Sequence, residues 1–221
     1  MQYLIFVPFV ILLAIYCYTE KLEKFWIATI LKVTLSAYVA IVAISAAIQI
    51  KNIYAITISI GLICAVPADF FLQYIKSNLK MYRFGILFFG GMHVALLIAF
   101  FMTWGVHWQE FLIFAIFIAI FIAILTFFQK SERWKLGKEK NQLSLYTVLV
   151  VLMASKSISI GIRTPELANI ALALGGLFFF LSDLFLGIWD YYKEKFRYLL
   201  LNRVIYFIGQ LLLAFSLVLA I

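Results

Sequence analysis

Five ionisable side chains sit inside long apolar stretches of this sequence: Lys32, Asp69, His93, Lys156 and Asp183, with Tyr146, Tyr206 and Gln210 as polar company. A charge inside a membrane-spanning helix costs at least about 2 to 3 kcal/mol and usually faces the bundle interior or a wet cavity, so each is a candidate for function. Carboxyl and imidazole groups do acid/base work, and an ammonium binds anions. Each also has a plainer reading. An intramembrane Asp can pair with a snorkelling Lys, Lys32 can reach the interface by itself, a lone His can be structural, and Asn202, Tyr206, Gly209 and Gln210 form a polar and small stripe of the kind that glues helices together.

The elements that must position these groups follow from composition. The chain has 221 residues, 66% hydrophobic and only 13% charged, with a mean hydropathy of +1.08, outside the range of soluble globular domains. A spanning helix needs about 20 mostly apolar residues. Such stretches run over roughly 2–18, 25–49, 53–74, 84–103, 109–128, 143–162, 167–188 and 199–221. The predicted fold is all-α, a polytopic bundle of eight transmembrane helices forming one domain over 1–221. The first stretch lacks a basic leader before its apolar run and reads as a retained helix. Cys17 and Cys64 fall inside spans and read as small apolar packing residues. No zinc-ligand spacing, phosphate-cradling glycine loop or GxSxG elbow is present.

The net charge of +8 reads as topology rather than nucleic-acid binding. The connectors after the first, third, fifth and seventh stretches hold fourteen of the 18 Lys and Arg residues, whereas the other side has Lys51 and Arg163 only. The positive-inside rule then puts the basic loops in the cytoplasm and both termini outside, in a bacterial inner membrane if the source is bacterial. The longest basic loop, "QKSERWKLGKEKNQ", is mainly a topology determinant, with contact to anionic headgroups as the alternative. At about 1.5 Å per residue, Lys32, Asp69, His93, Asp183, Tyr206 and Gln210 all fall in the cytoplasmic half. Independent structural charges have no reason to converge at one depth on five helices. Lys156 lies nearer the opposite face, where snorkelling beside Ser155 and Ser159 makes it structural.

Aligned without gaps, "ADFFLQYIKSNLKMYRF" around Asp69 echoes "SDLFLGIWDYYKEKFRY" around Asp183. Each has a small residue before the Asp, Phe and Leu two and three residues after it, and Arg then an aromatic at fourteen and fifteen. Such an echo suggests two four-helix halves, each delivering one carboxyl to a shared cavity.

The sequence resembles the YhhN family of eight-helix membrane proteins, which includes the lysoplasmalogenases. The resemblance is carried by "GLFFFLSDLFL" with Ser182 and Asp183, by "YFIGQLLLAFS" with Tyr206 and Gln210, by Asp69 followed by "RFGILFFGGMHVALL" with His93, and by Lys32 in the second stretch. The chain departs from the family pattern at Ala68, Val33 and Leu96, where Gly, Pro and an aromatic are usual. The activity this implies is hydrolysis of the vinyl ether bond of lysoplasmalogens, giving a fatty aldehyde and glycerophosphoethanolamine or glycerophosphocholine. That chemistry suits the residues found. Cleavage needs one carboxylic acid to protonate the double bond and one carboxylate to stabilise the oxocarbenium ion and direct water, and two carboxyls in one poorly solvated cavity acquire separated proton affinities. Asp69 and Asp183 are the expected pair, with either one the acid. His93 would position water or shuttle a proton. Lys32 and Arg83 would hold the lipid phosphate, and Tyr206 and Gln210 would orient the carboxyls. The expected partners are a lysophospholipid substrate and membrane lipids, with no metal, no other cofactor and no nucleic acid.

Other readings stay open. A proton-coupled transporter would use the same Asp and His residues, and Pro67, Gly90-Gly91 and Gly175-Gly176 are where its helices would break. A metal-dependent membrane hydrolase or transferase would need more histidines than His93 and His107. A non-catalytic lipid-binding protein would tolerate Asp183→Asn.

Overall fold

The computed structural model describes residues 2–129, 140–192 and 194–221. After a 3-10 turn at Gln2–Ile5, the described residues form α1 (Phe6–Lys21), α2 (Phe25–Ile50), α3 (Ile53–Leu72), α4 (Leu79–Trp104), α5 (Trp108–Gln129), α6 (Lys140–Arg163), α7 (Leu167–Tyr191) and α8 (Phe196–Val218), with no strand among them. Helices α2, α3, α4, α6, α7 and α8 are long and apolar enough to cross a membrane. Helix α1 has 16 residues, and the apolar part of α5, Trp108–Ile124, is shorter than the six. The fold therefore fits a multi-pass membrane protein, with every predicted apolar stretch helical.

Where boundaries differ from the hydropathy pattern, capping decides. Helix α4 starts at Leu79 rather than 84 because Asn78 accepts from the amides of Lys80 and Met81 at 3.1 and 3.2 Å, and α3 starts where Asn52 accepts from Ala55 N at 2.8 Å. Such side chains satisfy the free amides of a first turn, which hydropathy does not register. Helix α1 ends in a Schellman motif: Lys24 N donates to Thr19 O at 3.2 Å and Glu23 N to Glu20 O at 3.1 Å. Glu23 holds the left-handed position, φ 56°, that glycine usually takes.

Pro67 lies within α3 without ending it, and α4 and α7 run unbroken through their paired glycines. In α7 and α8 the glycines serve close approach. A Cβ on Gly209 would sit 3.1 Å from both Gly175 O and Phe179 N, and one on Gly176 would overlap the Ser157 hydroxyl of α6.

Helices pack in chain order within 1–4 and within 5–8, and the halves meet where α2 packs on α8 and α4 on α6. Matching each helix to the one four places later exchanges these two contacts, the pattern two four-helix halves would give. The contact of α3 with α8 is answered by Phe89 and His93 of α4, which meet Phe179 of α7. The basic stretch "QKSERWKLGKEKNQ" falls largely on 130–139, outside the described residues.

Candidate functional site

Lys32 and Ser36 are four residues apart on α2 and so share one face, which packs against α3 at Asp69. Lys32 Nζ stands 3.2 Å from Asp69 Oδ1, with the two side chains 1% and 0% exposed. That is an ion-pair distance without hydrogen-bond alignment, so Oδ1 keeps its accepting capacity. The other carboxylate oxygen, Oδ2, accepts from the Ser36 hydroxyl and, at 2.5 Å, from the Tyr206 hydroxyl of α8. One turn further along α8, the Gln210 amide donates to the Tyr206 oxygen. An ion pair this dry owes its survival to such extra hydrogen bonds, because desolvation alone can outweigh the Coulomb attraction.

Asp183, on α7, has different company. Its Oδ2 accepts from the Tyr146 hydroxyl of α6 at 2.8 Å, and among the described residues no Lys, Arg or His pairs with it. The neighbouring Ser182 hydroxyl turns back to Phe179 O at 2.7 Å, while Asn202 donates to Ser182 O at 2.9 Å and ties α7 to α8.

Both carboxyls line one cavity of about 170 Å³ whose walls come from α2 to α8. Lys32, Tyr146, Asn202, Arg203 and Tyr206 supply further polar lining, and Phe89, Phe121, Val150, Phe180 and Leu184 supply apolar walls. Tyr206 is fixed by aromatic contacts to Phe89 and Phe179, ring centres 5.7 and 5.3 Å away. The cavity reaches Ile75 and Asp190, near the ends of α3 and α7.

The sequence-predicted residues are thus distributed unevenly. Lys32, Asp69, Asp183 and Tyr206 share the lining, and Gln210 stands behind Tyr206. His93 does not reach the cavity. It packs edge-on to Phe179 at 4.8 Å and beside Tyr146 at 5.5 Å, and neither ring nitrogen has a hydrogen-bond partner. Arg83 is exposed near the start of α4 and also lies outside the lining. The cavity's guanidinium is that of Arg203, buried on α8, which meets Glu20 of α1 at 3.0 Å and Asn202 Oδ1 at 3.1 Å. Sequence reading assigned Arg203 to a basic connector, although its place three residues before Tyr206 puts it on the same polar stripe. Ser36 was missed too, and its signal was the one-turn spacing from Lys32.

Lys156 belongs to the other end of the bundle. It meets Glu110 at 2.5 Å and donates to Gly105 O, with Arg163 3.9 Å from the same carboxylate. Glu110 escaped notice because it lies in the first turn of α5, at the edge of the apolar window. Among the described residues no three His, Cys, Asp or Glu side chains gather as metal ligands would.

Fold and cavity together define a polytopic helical protein with two carboxyls facing a shared, mostly apolar cavity. The chain belongs to the YhhN family, whose model matches residues 27–217. No curated protein and no solved structure matches it.

Proposed function

We propose that this protein is an intramembrane ether hydrolase that cleaves the vinyl ether bond of lysoplasmalogens to a fatty aldehyde and a glycerophospho-alcohol. The observation that carries this reading is the unequal pair on one apolar-walled cavity: Asp69 is ion-paired with Lys32, whereas Asp183 is held by the Tyr146 phenol with no cation paired to it among the described residues. Family membership is consistent with a hydrolase.

In this mechanism Asp183, as the acid, gives its proton to the β carbon of the vinyl ether, leaving an oxocarbenium ion at the α carbon. Asp69, as the carboxylate, stabilises that cation and takes a proton from the water that attacks it. The resulting hemiacetal breaks its bond to the glycerol oxygen, which takes the proton from Asp69, while the hemiacetal hydroxyl gives its proton to Asp183 as the aldehyde forms; one water is consumed overall and both carboxyls return to their starting states. Tyr146 and Tyr206 orient the carboxyls, with Gln210 behind Tyr206. The alkenyl chain lies against Phe121, Val150, Phe180 and Leu184, and Arg203 takes the role toward phosphate first expected of Arg83. His93 acts through Tyr146 by packing. The protein works in an eight-span arrangement with the basic connectors in the cytoplasm. A proton-coupled carrier, the alternative, has less support, because its expected helix breaks fall in continuous helices.

The test is aldehyde release by purified protein from lysoplasmenylethanolamine and, separately, from its saturated alkyl ether analogue. Release from the vinyl ether alone, lost in both Asp69→Asn and Asp183→Asn, supports the reading. Well-folded wild type that releases none overturns it and makes proton-coupled flux in liposomes the next measurement.

A further inference from the structure

A second cavity of about 300 Å³ opens beside the first, between the α1–α2 turn and the ends of α3 and α7. The two cavities share Ile75 and Arg203 as lining, so the Arg203 guanidinium stands at their junction. The second too carries both signs of charge, with fewer apolar walls between them: Lys24, Lys76 and Arg203 face it together with Glu20 and Glu23. One of its lining residues, Gln73, holds a buried oxygen, Oε1, with no hydrogen-bond donor, whereas the Glu20 carboxylate has Arg203 and the Tyr16 phenol beside it. Buried acceptors left without donors are uncommon and costly, and they mark where a donor is expected. The terminal torsion of an amide group is broad, so the Gln73 oxygen turns toward the cavity at little expense.

We propose that this second cavity is the headgroup subsite for the lipid whose ether lies in the first, and that it takes a phospho-monoester chain ending in a primary ammonium in preference to a quaternary one. The inference rests on the hydrolase reading for the identity of the lipid. Phosphate meets Arg203, whose flat fork of donors suits its oxygens, with Lys24 at the rim. The ammonium meets Gln73 Oε1. A primary ammonium brings N–H donors to this acceptor, whereas a trimethylammonium brings none. Quaternary groups are instead held on aromatic faces; of the rings lining this cavity, Phe25 packs edge-on with Trp26 and Tyr74, and Trp189 already has the Lys76 ammonium 4.3 Å from its ring centre.

The experiment measures binding rather than turnover, on the full chain in nanodiscs, by calorimetric titration with two uncleavable saturated alkyl ether lysolipids carrying phosphoethanolamine or phosphocholine. Wild type is expected to bind the phosphoethanolamine lipid about tenfold more tightly, the order given by one added hydrogen bond to a charged donor. Gln73→Met should erase most of that preference and leave phosphocholine affinity unchanged, which also reports an intact fold; Gln73→Glu, which keeps an acceptor, should retain it. Equal affinity in wild type, a preference that survives Gln73→Met, or binding of neither lipid overturns the subsite. Equal affinity alongside intact aldehyde release overturns the subsite alone. Headgroup preference without aldehyde from either vinyl ether lipid keeps the subsite and removes the hydrolase reading.

Discussion

Lys32 and Asp69 stabilise the protein only as a pair. Removing one partner leaves a charge buried among apolar helices, and such losses run to about 3 to 5 kcal/mol. Lys32→Met should therefore lower the thermal midpoint in detergent steeply, while Lys32→Met combined with Asp69→Leu should recover much of it and still release no aldehyde. A double variant as unstable as the single one would show that the pair is not the source of the loss. The phenols separate differently. Tyr146→Phe removes the hydrogen bond that its phenol donates to Asp183 Oδ2, whereas Tyr206→Phe leaves Asp69 with Ser36 and Lys32. Aldehyde release should fall further in Tyr146→Phe, by about 10- to 100-fold for a lost charged hydrogen bond, and steady-state rates on matched protein would show a reversed order if Asp69 were the more dependent carboxyl.

Helix contacts and helix ends set the next scale. Gly209 touches backbone of α7 on two sides, while a Cβ at Gly91 would meet nothing within 4 Å. Gly209→Ala should push α7 and α8 apart, disturb both Asn202 and Tyr206, and cost stability. Gly91→Ala should be neutral or stabilising by up to about 1 kcal/mol from helix propensity. Equal midpoints for the two variants would contradict the close approach described. At the end of α1, Glu23→Gly relieves a left-handed residue and should raise stability by about 1 kcal/mol, read from the thermal midpoint.

Across the whole molecule, charge separates the two ends. One has Glu20–Arg203 and Lys76 with Glu194, and the other has Lys156–Glu110 with Arg163 near. In a background with Cys17→Ser and Cys64→Ser, an impermeant maleimide should label Lys51→Cys in intact cells and Lys80→Cys only after the membrane is opened. The opposite pattern would invert the proposed orientation.

Hydropathy and charge are local properties, so the sequence alone determined that the chain is a helical bundle, that its polar residues are few, and that Asp69, Asp183 and Lys32 stand out among them. Spacing along one helix was legible as well, as with Tyr206 and Gln210. What only the tertiary structure decided is who meets whom. Arg203 counts as a connector residue by position along the chain, yet rotation of α8 turns it into the cavity against Glu20. His93 has the depth of a site residue, yet α4 faces it toward Phe179 and Tyr146. Glu110 and Lys156 lie 46 positions apart, and no periodicity links them. Partner choice depends on how each helix is rotated about its axis and how closely neighbours approach, which at Gly175 and Gly209 is fixed by absent side chains on two helices at once.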